Sequence, residues 1–527
     1  MSKIRYIQTL FVSAYFIITL GVANAAEIKP FAAVMAPLYV NDESKFINLL
    51  KEAKDTGVDA VSVDIWWGLV FRDRNNPDWS YYDNVFARIA KQNLKIVPIL
   101  SIHKCGDGPG DNCLCATEPP LEAADKCTIP IPKWLYTEVA REAGYRSEDL
   151  KYQSETGKVL DDAIVPWITE NGQGQPIMDA IKGFFSAFKE HYASYAINGQ
   201  FSELNISLGP TGELRYPAYN ETDGWKFPGR GYFQSYSLPA RQSFQSWVLD
   251  KYKTLDNVNH VWGISLSENS QIRPPNGDKK PKPSGRASEF VARQDYRKTA
   301  YGRDFVDWYS NSLIAHGERL LKAANDIFDQ DYSAIPIGFK IPGVHWQIKC
   351  TGTPRIAEIT AGLITPKYNL QPSMLARGDA YGYKDIFDMV KRLKISMKRD
   401  IVMHFTALEM DNDVYCCNEK GNPGTSMAES LVFWISEAAE DSHITLKGEN
   451  ALACVGGPDD PLDDDRNWDR IESAFKYGIY SGFTLLRLEK PEKLENGECN
   501  PWGTDKDFLQ KFIQHKNSFR FMRSQAD

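Results

Sequence analysis

Apolar and polar positions alternate in short runs that recur along the whole chain. The runs predict β-strands at Phe31 to Ala36, Ala60 to Asp64, Leu94 to Ile102, Phe201 to Leu208, Ile335 to Ile341, Ile401 to Leu408, Ile444 to Lys447 and Gly482 to Leu488. Between them the apolar spacing changes to the helical period, predicting helices at Glu43 to Thr56, Tyr82 to Gln92, Met178 to Tyr195, Asp304 to Phe328, Asp385 to Lys398, Met427 to Glu440, Trp468 to Tyr480 and Asp507 to Arg523. Eight strand-then-helix units predict a single (β/α)8 barrel of the TIM type. Three connections, Cys105 to Ile177, Gly209 to Tyr296 and Pro342 to Tyr381, are too long for turns. All three leave the C-terminal ends of strands, where they are expected to form a lobe over an active site. Arg273 to Arg286, RPPNGDKKPKPSGR, reads as a solvated excursion.

Composition narrows the partner classes. The chain has 527 residues, is 43% hydrophobic and 25% charged, and carries a net charge of −8, so it can fill a large core and offers no clustered basic face to nucleic acid or an acidic membrane. Lys3 and Arg5, an apolar run from Leu10 to Val22 and Ala23-Asn24-Ala25 fit a signal peptide over residues 1–25, which would leave residues 26–527 as the catalytic domain in a secreted or periplasmic protein. Export would permit disulfides among the nine cysteines. Cys105, Cys113, Cys115 and Cys127 crowd one loop, but a repeated CxxC pair is missing, which favours disulfides over a zinc site.

The candidate chemistry gathers at the strand ends. Leu208 to Tyr219, LGPTGELRYPAY, breaks a strand into a glycine turn that presents Glu213, followed at once by Arg215 and Tyr216. A Glu and an Arg so placed could also simply pair on a loop surface. Other strand ends carry Asp64 with Trp66 and Trp67, His103, Lys340 with His345 and Trp346, Thr406, Glu449 with Asn450, and Arg487. Carboxylates, amides and indoles are what sugar binding requires: fixed donors and acceptors for hydroxyls, and flat apolar surfaces for ring faces.

The motifs VDIWWG (Val63 to Gly68), SIHKCGDGPGD (Ser101 to Asp111), IPIPKW (Ile129 to Trp134), GPTGELRYP (Gly209 to Pro217), GWKFPGRGYFQ (Gly224 to Gln234), KIPGVHW (Lys340 to Trp346), FTALEM (Phe405 to Met410), GENAL (Gly448 to Leu452) and LRL (Leu486 to Leu488) resemble, in this order, those of the β-amylases. Members of that family are inverting, exo-acting hydrolases that release β-maltose from the non-reducing ends of starch chains. The resemblance implies Glu213 as general acid and Glu449 as general base. It implies sugar contacts from Asp64, His103, Lys340, His345, Trp346, Thr406, Asn450, Ala451 and Arg487, and from Asp111 on a mobile flap. Glu409 in FTALEM is a rival carboxylate, which the resemblance casts in a supporting role.

The resemblance implies no cofactor, an α-1,4-glucan such as starch or maltooligosaccharides as substrate, and a monomer. The chain departs from the family pattern at Lys104, Asp107 and Pro109 in the flap, and at Ala453 and Cys454 after GENAL. Phe71 stands where a carboxylate is common, so a structural calcium is not predicted. Cys105 and Cys113 keep a spacing seen in bacterial members, which implies a bridge at the flap base, and Cys115 and Cys127 flank an insertion and would pair. With no residues left for a C-terminal starch-binding module, raw granules are expected to be poor substrates. Two other readings remain: a barrel glycosidase of different specificity, and a catalytically inactive glucan-binding protein, which retention of both Glu213 and Glu449 disfavours.

Overall fold

A computed structural model describes residues 30–40, 42–106, 129–275, 286–350, 352–412, 426–451, 466–488 and 513. The signal-peptide assignment, Asp111, the bridge partner Cys113, the Cys115 and Cys127 pair, Ala453, Cys454 and all of the last predicted helix but residue 513 lie outside the described residues. Eight parallel strands close into a barrel: β1 (Phe31–Met35), β2 (Ala60–Trp66), β3 (Lys95–Ser101), β4 (Leu204–Ile206), β5 (Ile337–Ile341), β6 (Ile401–Phe405), β7 (Thr445–Glu449) and β8 (Gly482–Leu485), each paired with its neighbours in sequence and β8 with β1. All eight were predicted, though β4 is shorter than Phe201 to Leu208. Leu208 gives its N–H to the Gly212 carbonyl at 3.2 Å, so the chain has already turned there.

The period of two sorts the side chains. Outward positions such as Val61, Val63, Ile65, Ile96 and Leu100 join one large core with the surrounding helices. Inward positions form small layers, Ala33 with Ala60 and Val97, then Met35 with Ile99 and Leu486. One inward layer is polar. The Glu203 carboxylate lies 2.6 Å from His404 Nε2 and 2.7 Å from Lys447 Nζ, and accepts from Asn205 Nδ2 at 2.9 Å. Burial alone would raise the Glu203 carboxyl, but Lys447 and His404 outweigh it and bring the group to about 2.

The helices follow the same economy. In α1 (Glu43–Thr56), Asp42 accepts from the Lys45 N–H as N-cap, and Phe46, Leu50 and Ala53 form its buried stripe. Helices α2 (Ser80–Lys91), α3 (Gln175–His191), α4 (Ala300–Ile327), α5 (Lys384–Met397), α6 (Ala428–Asp441) and α7 (Arg466–Tyr477) continue the outer ring. The long connections hold structure of their own, including a two-stranded ribbon, Tyr152–Gln153 with Val159–Leu160, and the helix Leu238–Tyr252. Phe71 is buried, with its ring edge-on to Trp79 and Phe184.

Candidate active site

At the end of β4 the chain turns through Thr211 (φ 54°) and Gly212 (φ +81°), a left-handed pair that glycine accommodates at its second position. The turn is short, so Glu213 comes back beside β5: it bridges to Lys340, and the Leu214 N–H donates to the Lys340 carbonyl at 2.8 Å. His103, buried at the end of β3, abuts the same turn, its Cε1 3.5 Å from where a Cβ on Gly212 would sit.

Glu213 is held from two sides. Its Oε2 accepts from Arg215 Nε at 2.8 Å and from the Thr211 hydroxyl at 3.0 Å, while Oε1 faces the Thr406 hydroxyl at 3.5 Å. Arg215 and Glu213 therefore do pair, but inside the protein, with side chains only 4% and 12% exposed. The Arg215 guanidinium also donates to Thr211 Oγ1 at 2.9 Å and to the Tyr216 carbonyl at 3.3 Å, and lies 4.3 Å from the centre of the Tyr219 ring.

Glu449 is the last residue of β7 and is buried. Lys340 Nζ donates to its Oε1 at 2.9 Å and lies 2.8 Å from Oε2, which carries no hydrogen bond of its own. Lys340 thus joins the two carboxylates, its backbone pairing with the Glu213 turn and its ammonium with Glu449. Thr406 ties in a third strand end, since its hydroxyl accepts the Gly343 N–H at 2.8 Å while facing Glu213.

A second cluster forms across β2, β3 and the end of β8. Asp64 accepts from the Ser101 hydroxyl at 3.0 Å and lies 3.6 Å from Arg487 Nη1, which also donates to the Ala36 carbonyl at 3.2 Å. Asn450 holds the backbone just before Arg487 in both directions, accepting from Leu486 N at 2.9 Å and donating to its carbonyl at 3.2 Å. The Ala451 N–H is occupied by Glu409, lying 2.8 and 3.0 Å from its two carboxylate oxygens.

His345 Nδ1 lies 2.7 Å from the Ser426 hydroxyl, and burial lowers its imidazole to about 4. Trp346 donates to the Gly229 carbonyl at 2.9 Å and packs with Tyr219, Trp225 and Phe227 into an aromatic wall, of which Phe227 is 53% exposed.

Trp66 and Trp67 belong elsewhere. Trp66 is fully buried and donates to the Leu38 carbonyl, and Trp67 stacks on Phe184 of α3 at 5.9 Å. Both fill core, Trp66 with its ring edge-on to His103 at 5.1 Å. Conversely, the residues that orient the site, Thr211, Arg215, Ser101, Ser207 on His103 Nδ1 at 2.7 Å, and Ser426, were not singled out as functional. Thr211 and Arg215 flank Glu213 within GPTGELRYP, which was the available signal.

Residues 28–518 match the family described as glycosyl hydrolase family 14. A β-amylase of Cytobacillus firmus is 32% identical over 499 residues, 94% of this chain and 89% of that protein. A β/α-amylase of Paenibacillus polymyxa is 32% identical over 496 residues, 93% of this chain, which spans only 35% of that relative. The solved catalytic domain of a β-amylase from Paenibacillus polymyxa superposes with a TM-score of 0.71 at 31% identity, covering 95% of this chain and all of that one.

Proposed function

The chain belongs to glycosyl hydrolase family 14, and on that premise we propose that it is a β-amylase whose acid is Glu213 and whose base is Glu449, acting on α-1,4-glucan chain ends with release of β-maltose. The observation that carries the reading is the Lys340 link, which fixes two carboxylates at one mouth of the barrel in different environments. Glu213 sits 12% exposed among Thr211, Arg215 and Thr406, positioned to give a proton to a glycosidic oxygen. Glu449 is deeper and paired with a cation, and its Oε2 has a lone pair open for the hydrogen of an attacking water. Inversion requires the two carboxyls on opposite faces of the sugar with room for that water.

Asp64, Arg487, His103, His345 and Asn450 would bind and orient glucosyl hydroxyls, with Trp346 supplying part of an apolar wall and Asp111 closing from the flap. Hydrolysis by this route uses carboxylates and water alone.

The enzyme would be exported after cleavage near Ala25, with Cys105 bridged to Cys113. Burial of Cys105 at the flap base, where its backbone pairs with Ile129, supports a pinned loop there. Mass mapping of unreduced peptides tests the bridge, and free thiols at both positions in exported protein would refute it. The function is tested by incubating the protein with soluble starch and following the anomeric form of the sugar released. Maltose appearing first as the β-anomer is expected. Release of the α-anomer, or of a ladder of longer products, would refute the proposal.

A further inference from the structure

Away from the strand ends, the helix Leu238–Tyr252, α4 and the turn Pro166–Thr169 enclose a cleft of about 560 Å3 that none of the candidate active-site residues lines. That volume falls within the ~300–1,000 Å3 of small-ligand clefts. Trp247 and Tyr145, both half-buried, supply its aromatic lining, backed by a buried stack in which Trp167 lies between Trp308 and Tyr216, each 5.6 Å away. The Trp247 ring is held in place by the Lys251 ammonium 4.9 Å from its centre, itself anchored on Asp304 at 2.7 Å.

Polar groups alternate with these rings. The Ser243 hydroxyl accepts the Trp308 indole N–H at 3.0 Å and donates to Glu170 at 2.6 Å, while Gln242 and Asn311 are exposed at the rim.

We propose that this cleft is a second carbohydrate site, binding a short run of glucosyl units. The chemistry discriminates among ligand classes. The half-buried Trp247 and Tyr145 rings offer flat faces for pyranose rings, and amides, a carboxylate and hydroxyls match sugar hydroxyls. Glu170 and Asp250 in the lining disfavour an anionic ligand, since the cation there, Arg319, is already committed to the Pro166 carbonyl at 3.1 Å and to Thr169 at 3.2 Å. The polar lining disfavours a purely apolar one. The choice of an α-glucan over other sugars rests on the proposed function: a polymer held at one site on the chain is delivered to another at raised effective concentration. Trp167 also stacks on Tyr216 at 5.6 Å, and Tyr216 follows Arg215, so the cleft backs onto the turn that carries Glu213.

The test titrates maltoheptaose calorimetrically into the full chain carrying Glu213→Gln, so that hydrolysis is slowed during the titration. Two binding events are expected. Adding Trp247→Ala should weaken one of them about tenfold or more, as removal of an aromatic anchor does, and Ser246→Arg, at an exposed lining position, should block the same event by filling the cleft. A thermal melt of each variant shows that the fold is intact. One event in the parent, or two undiminished events in both cleft variants, overturns the proposal. Starch hydrolysis by the unsubstituted chain is measured alongside: turnover with a single binding event refutes the cleft alone, and a cleft-dependent event without turnover refutes the function alone.

Discussion

Replacing Glu213 or Glu449 by glutamine keeps shape and removes the proton chemistry, and the surroundings predict different consequences for the two. In Glu213→Gln, one amide oxygen can still accept from both Arg215 and Thr211, which share Oε2, leaving the amide N–H2 toward Thr406. Arg215 keeps Thr211, the Tyr216 carbonyl and the Tyr219 ring, so the lost charge pairing is cushioned, at about 1–3 kcal/mol. In Glu449→Gln, Lys340 sits within 2.9 Å of both oxygens, so an N–H2 group must face the ammonium, whose other polar contact here is Met35 Sδ at 3.7 Å. Breaking a buried pair of this kind costs about 3–5 kcal/mol, so Glu449→Gln should be the less stable variant by urea midpoint.

Turnover of soluble starch should fall ~10²–10⁴-fold in each variant, or about 3–5 kcal/mol of barrier. An α-maltosyl substrate with a good leaving group separates the roles. It needs no acid, so Glu213→Gln should recover much of its rate, while Glu449→Gln stays slow because its water still lacks a base. Azide restoring Glu449→Gln, with a product of inverted configuration, would agree with the assignment. The reasoning fails if Glu409→Gln abolishes turnover while Glu449→Gln retains most of it, since the carboxylate now seen on the Ala451 N–H would then be the chemical one.

Two further outcomes follow from the barrel interior and its wall. In Gly338→Ala the new Cβ would sit 2.1 Å from Glu203 Oε1 and 2.6 Å from Asn205 Oδ1, so the polar layer must shift; a loss of about 1–3 kcal/mol or more is expected, and an unchanged urea midpoint would contradict it. Burial, aided by the Arg319 charge, lowers the His316 imidazole to about 3. An unfolded histidine titrates near ~6.5, so below that pH the unfolded chain takes up a proton that the folded chain refuses, and stability falls with pH at about 1.4 kcal/mol per unit. His316→Gln removes this loss, so between pH 6.5 and about 5 the variant should gain on the parent by roughly 2 kcal/mol in paired denaturation curves; a difference that does not change with pH would refute the sign.

The barrel could be read from the sequence because closure imposes two simple periods. Helix α1 was predicted residue for residue, since Asp42 marks its start and the Phe46, Leu50, Ala53 stripe its buried face. Strand ends were less legible where inward positions are polar: Glu203, just before β4, and Asn205 within it interrupt the apolar run, and β7 was ended at Lys447 although it continues to Glu449. Trp66 and Trp67 show the opposite failure, because an aromatic pair at a strand end looks the same whether its rings face a sugar or the interior, and only the packing decides, Trp67 on Phe184 and Trp66 on the Leu38 carbonyl and the edge of His103.

The site's charged residues were visible because alternation puts Asp64, Lys340 and Glu449 at strand ends with inward side chains. Their partners were not. Ser101 on Asp64, Ser207 on His103 and Ser426 on His345 are 37, 104 and 81 residues away along the chain, and a serine that completes such a bond has no local pattern to distinguish it from one that faces water. What the sequence conceals is therefore the cross-strand arrangement, and with it the device on which the proposed division of labour depends: one lysine whose backbone positions the acid and whose ammonium balances the base.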